Sequence, residues 1–175
     1  MKTITRLNKA SRFARGFTLV EIMIVVAIIA LLAAIAIPNV LRGRATANET
    51  AAIGNVRALM SSLEMYRSVY QAYPAPASSW TAQMYGPNPA FGPPVFGTVA
   101  MDGTGSVQGF FYTYGPSLTL PAQSYVMKAT PTAANSGGRT FFTTESGQVF
   151  HCAGINVTTM IVATTTIDQI PSTAC

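Results

Sequence analysis

The sequence predicts an α+β protein in which one very long N-terminal helix, about residues 17–73, has its distal half packed under a small antiparallel β-sheet. Three observations predict it. Residues 17–37 are almost wholly apolar, residues 41–70 repeat apolar side chains every three or four positions, and residues 109–163 hold short aromatic and β-branched runs separated by turn formers. With 175 residues, 49% of them hydrophobic and 10% charged, there is room for one ordinary domain plus a segment greasier than a soluble protein carries.

Residues 1–16 form a basic leader. Lys2, Arg6, Lys9, Arg12 and Arg15 face no acid there, and they account for the whole net charge of +5. From Phe17 onward Arg42, Arg44, Arg57, Arg67, Lys128 and Arg139 are balanced by Glu21, Glu49, Glu64, Asp102, Glu145 and Asp168. The pI near 9.5 therefore describes the leader, and a nucleic-acid partner is not indicated. A basic stretch directly before an apolar run holds the cytoplasmic end of a membrane segment, so the chain should point its C-terminus outward.

Residues 17–38 are the membrane-length segment. At 1.5 Å per residue the run to Ile37 makes a helix of about 31 Å, enough to cross a hydrocarbon core. Pro38 interrupts the run and marks a kink site without ending the helix. Residues 39–73 continue as an amphipathic helix with Leu41, Ala45, Ala52, Val56, Leu59, Leu63, Tyr66 and Tyr70 on one stripe. Gly43 and Gly54 inside it each cost about 1 kcal/mol in helix propensity, which softens the rod near Pro38 and Gly43. Pro74 and Pro76 predict a stop at Tyr73.

Residues 74–108 are rich in proline and glycine yet aromatic, which predicts an ordered loop packed on the helix. Residues 109–175 hold the sheet and the C-terminal region, with strand runs at 109–114, 123–130, 139–144, 147–152 and 155–163. Glu145, Ser146 and Gly147 suit a tight hairpin between the third and fourth runs. Cys152 and Cys175 both fall in the part placed outside the cytoplasm, where disulfides persist, and they have a single intramolecular pairing. A bridge closing roughly 24 residues is worth about 3 kcal/mol on the chain-entropy account.

Chemistry is poorly represented. The sequence has no phosphate-cradling GxxxxGK[ST], no CxxC and no GxSxG, and its lone histidine, His151, has no acid cluster beside it. No catalytic residue, metal ligand set or cofactor is predicted, and the seventh-decade tyrosines and the later aromatics read as core. The expectation is a protein that is not an enzyme.

RGFTLVEIMIVVAIIALLAAIAIP, residues 15–38, resembles the class III signal of type IV prepilins and related pseudopilins, and NVLRGRATANETAAIGNVRAL, residues 39–59, continues the resemblance to the type IVa pilin helix. The resemblance implies the pilin fold, cleavage after Gly16 by a prepilin peptidase and methylation of the new N-terminal amine of Phe17. It also implies that Glu21 drives assembly by meeting the Phe17 amine of a neighbouring copy in a helical homopolymer. A carboxylate inside an apolar run costs about 2.5–3.5 kcal/mol on insertion scales at the membrane centre, so it is a functional candidate by default. Further partners implied are the inner membrane before assembly, an assembly platform and motor ATPases. The implied final location is a surface fimbrium, and adhesion and twitching motility are among the uses that the family resemblance implies.

Within that family a disulfide-bounded C-terminus resembles the D-region of type IV pilins. Neither the DPWG-like segment nor the acidic calcium loop usual in major type II secretion pseudopilins is present. The alternatives are such a pseudopilin or a minor or competence pilin. Outside the family stand a signal peptide cut after Ala34–Ile35–Ala36, releasing a soluble domain from Ile37, and a permanent single-pass anchor. Glu21 and the Gly16–Phe17 pair argue against both.

Overall fold

The computed structural model of the chain describes residues 16–75, 79–117, 121–133 and 136–153. The chain divides into two compact units, Met1–Asn39 and Val40–Cys175. Helix α1, Leu19–Tyr70, contributes residues to both. It is followed by α2 (Trp80–Tyr85), a 3₁₀ turn (Pro94–Phe96) and strands β1 (Asp102–Val107), β2 (Phe110–Pro116), β3 (Tyr125–Pro131), β4 (Arg139–Thr144) and β5 (Val149–Ala153).

In the first unit every described side chain is exposed save the half-buried Ala33. The second unit buries its apolar residues. Ala52, Val56, Leu59, Leu63 and Tyr66 line the inner face of α1 at spacings of four and three, as the stripe in the sequence predicts. Its outer members behave differently, since Leu41 and Tyr70 stay about half exposed. The helix stops at Tyr70, three residues before the predicted Tyr73. Gln71 turns into the left-handed region at φ 56°, and its N–H donates to the Arg67 carbonyl at 2.8 Å. That single bond from the first non-helical residue is a helix terminator that glycine usually supplies. Tyr73 is then free to donate its N–H to the Ala122 carbonyl at 2.9 Å.

The sheet is an antiparallel meander in chain order, β1-β2-β3-β4-β5. Phe110, Tyr112 and Tyr114 alternate inward on β2, opposite Pro131, Ala129 and Met127 of β3. All of these but Pro131 join the helix stripe in one core with Trp80, Met84, Phe96 and Met101, which are fully buried. The Pro/Gly-rich stretch is thus packed on the helix and holds α2, the 3₁₀ turn and β1. The sequence DGTGSV of β1 offers no alternating large apolar residues, so it carries no strand signal. Its pairing with β2 is irregular between Asp102 and Ser106 and regular at Val107↔Phe110. Gln108 and Gly109 close that hairpin at φ 51° and 80°, the two positive angles that a two-residue turn needs to match strand twist. The hairpin predicted at Glu145–Gly147 joins β4 to β5, with Gly147 N–H donating to the Thr144 carbonyl at 3.2 Å. The run at 155–163 and the leader residues 1–15 lie outside the described residues.

Candidate functional site

The site begins with the local chemistry of the α1 N-terminus. Thr18 precedes the helix, and its Oγ1 accepts the Glu21 N–H at 3.2 Å while Ile22 N–H donates to the Thr18 carbonyl at 3.3 Å. Thr18 with Glu21 three positions on has the spacing of a capping box, the local sequence signal for this helix start. Glu21 therefore has two local reasons to stand here, a capped first turn and the positive end of the helix dipole. Neither uses up its carboxylate, which is exposed and has no hydrogen-bond or ion-pair partner among the described residues.

Gly16 and Phe17 precede the helix. A Cβ on Gly16 would meet nothing within 4 Å, so the chain's own packing does not demand glycine there. Phe17 is 79% exposed. Beyond them Leu19, Val20, Ile22 to Val26, Ile28, Ile29, Leu31, Leu32, Ile35 and Ile37 carry apolar groups all around the helix, each roughly half exposed or more, apart from the small residues between them. Among the described residues α1 is the one helix long and apolar enough to cross a membrane, and none of its apolar window is buried. Pro38 lies within α1 and lacks the N–H that would bond the carbonyl four residues back. Asn39 next to it donates its side-chain amide to the Ile35 carbonyl at 3.1 Å.

In the second unit the most consequential polar contact was not foreseen. Glu49 lies on the buried face of α1, where its carboxylate accepts the Gly138 N–H at 2.8 Å and the Arg139 Nε and Nη2 donors at 3.0 and 2.6 Å. Burial by itself would raise the carboxyl pKa. The Arg139 hydrogen bond, the Gly138 N–H and the Arg139 charge outweigh it and hold Glu49 below its ordinary value. Gly137 makes the approach possible, because a Cβ there would stand 2.9 Å from Phe110 Cζ and 3.0 Å from Glu49 Cγ. The available signal was an acid falling in step with Ala45, Ala52 and Val56 on the apolar stripe.

Cys152 is buried on β5, across from Thr140, and no free cysteine occurs among the described residues. Cys175, its predicted partner, lies outside them. His151 is exposed on β5 opposite Phe141. No group of three or more His, Cys, Asp and Glu side chains suited to a metal occurs among the described residues.

A capped N-terminal helix with an exposed apolar run and, in its first turn, an acid without a partner among the described residues, in a chain that also builds a five-stranded antiparallel meander, defines a class of protein with a membrane-length helix and an α+β unit. Residues 11–37 match the family model described as the prokaryotic N-terminal methylation motif. The chain is similar to the type IV wide pilus major component PilA4 of Thermus thermophilus, 45% identical over 62 residues, which cover 35% of this chain and 47% of that protein. It is 43% identical over 60 residues to the type II secretion system core protein G of Pseudomonas aeruginosa, covering 34% and 42%. Against the type IV major pilin protein PilA of Myxococcus xanthus it is 46% identical over 68 residues, covering 37% and 31%. Each match thus spans less than half of the relative's own length. No solved structure matches. The motif and the relatives together make the N-terminal third of this chain type IV pilin-like.

Proposed function

We propose that the chain is a structural subunit of a type IV pilus filament, held in the inner membrane as a precursor and assembled through its N-terminal helix into a surface fibre. The observation that carries this reading is the exposed apolar run of α1 with the Glu21 carboxylate in its first turn, which has no partner among the described residues. Lipid covers such a run in the precursor, and neighbouring copies of the same run cover it in a fibre, so no refolding is needed between the two states. In this reading a prepilin peptidase cuts after Gly16, where the absent side chain eases the backbone into a cleft, and methylates Phe17. Glu21 of one copy then meets the Phe17 amine of another in a poorly screened setting, which sets the axial register. A Cys152–Cys175 bridge ties down the C-terminus, and Pro38 is where α1 loosens on assembly. The role is structural, without catalysis, and its partners are other copies of itself, the peptidase, an assembly platform and motor ATPases.

The test is the intact mass and N-terminal sequence of the protein recovered from a sheared surface fraction of its host. The reading requires an N-terminus at methylated Phe17 and a mass lower by two hydrogens for the bridge. A soluble chain beginning at Ile37 would discard it. The similarity to type II secretion core protein G supports a second reading as a pseudopilin. That reading wins if deletion blocks protein secretion and the chain is missing from purified surface fibres.

A further inference from the structure

The basic residues described after Gly16 fall into two groups. Arg139 is committed to Glu49, Arg67 donates to the Tyr73 hydroxyl at 3.2 Å and lies over its ring, and Lys128 also has an interaction of its own. Arg42, Arg44 and Arg57 are exposed on α1, and their guanidinium groups have no partner among the described residues. Two of the three stand at a particular place in the sequence. Arg42 and Arg44 come directly after Val40 and Leu41, the last large apolar residues of the exposed run.

Their spacing says what kind of partner fits. Residues two apart on an α-helix are turned by about 200°, so the two guanidinium groups leave α1 on nearly opposite sides. A protein docking on one face engages one of them, whereas a layer that surrounds the helix engages both. Gly43 between them adds no bulk, and a Cβ there would meet nothing within 4 Å, so the pair stands open among the described residues. Guanidinium is matched in charge and fork geometry to phosphate oxygens.

We propose that Arg42 and Arg44 form a collar that binds the phosphates of anionic phospholipid head groups where the helix leaves the outer face of the membrane. The proposal rests on the reading that the apolar run spans that membrane. It gives the two arginines a task that grows when the leader is removed. Lys2, Arg6, Lys9, Arg12 and Arg15 grip the cytoplasmic side in the precursor. Cleavage after Gly16 takes all of them away, and the collar is then the basic anchor that flanks the run and holds its depth until a copy is extracted into the fibre.

The test compares the full-length chain with Arg42→Gln/Arg44→Gln in nanodiscs of mixed phosphatidylglycerol and phosphatidylcholine. Native mass spectrometry counts which lipids stay bound after release, and the leader contributes equally to both chains. The double variant should lose its preference for phosphatidylglycerol by about fivefold per arginine, while Arg57→Gln keeps the wild-type preference. An unchanged preference in the double variant overturns the collar. So does an unchanged preference combined with failed fibre assembly, which would assign the arginines to acids of a second copy. Failure of the underlying reading shows separately, as release of the full-length chain from native membranes by alkaline carbonate.

Discussion

In the second unit Ala52, Val56, Leu59 and Leu63 of α1 have no exposure at all, while in the first unit Ile22, Ile28, Leu32 and Ile35 of the same helix are half or more exposed. The residue types are alike, and the cover differs. The chain supplies its own cover for the distal stripe with β2, β3 and the Trp80–Phe96 stretch. The described residues supply none for the proximal run. An apolar side chain fully buried is worth about 1.5–3 kcal/mol over the same one left in water, so more than ten such residues without cover call for lipid or other copies. One part of the helix is thus a folding element, and the other is an interaction element.

The largest expected effect that tests this contrast comes from shortening one apolar side chain in each region. Leu59→Ala should cost about 2–5 kcal/mol, because it empties space in a packed core. Ile28→Ala should change the same unfolding free energy by under about 0.5 kcal/mol and reduce fibre recovery instead. Trp80, the single tryptophan and fully buried, reports on the second unit in a denaturant titration of the detergent-held chain. Equal destabilisation by the two substitutions would erase the distinction.

The next effect belongs to Glu49, a charged group that the second unit covers and the first unit, at Glu21, does not. Glu49→Gln keeps the shape but removes the charge facing Arg139, and should cost about 1–3 kcal/mol in the same titration. The sign of its pH dependence follows from the lowered carboxyl pKa. The unfolded chain takes up a proton near the ordinary value of 4.5 and the folded one only at lower pH. The contribution is therefore complete above about pH 4.5 and is lost as pH falls through the folded value. Wild type should lose more stability than Glu49→Gln between neutral pH and pH 3.

What the sequence revealed divides along the same line. The apolar run, the stripe on α1 and the alternating strands β2 and β3 were legible because periodicity reports which face is covered, and β4 and β5 from their aromatic and β-branched runs between turn residues. The strand β1, short of large apolar residues, has its place from pairing with β2, which no local pattern encodes. The helix end at Tyr70 depends on Gln71 taking a positive φ, a choice that the following contact of Tyr73 with Ala122 rewards. At the candidate site Gly16, Phe17 and Glu21 are singled out by their order in the sequence, and their roles belong to the proposal. The Glu49 clasp was not legible, since it joins residues ninety positions apart and shows only when the Gly137–Gly138 turn comes to rest on α1.

The smallest expected effect asks whether the second unit's helix has an outward face with a duty of its own. Gly54 sits in the interior of α1, is exposed, and would place a Cβ in open space with nothing within 4 Å. Within one copy it is a cost without a return, so Gly54→Ala should raise stability by about 0.5–1 kcal/mol. Gly137→Ala should do the reverse, because its Cβ would press on Phe110 and on the Glu49 side chain. If Gly54→Ala is stabilising and fibres form normally, the outward face of α1 in the second unit carries no close packing, and assembly belongs to the first unit alone. If stability rises while fibre yield falls, the missing Cβ is needed by a neighbouring copy. The boundary between folding element and interaction element would then run along the side of the helix as well as across it.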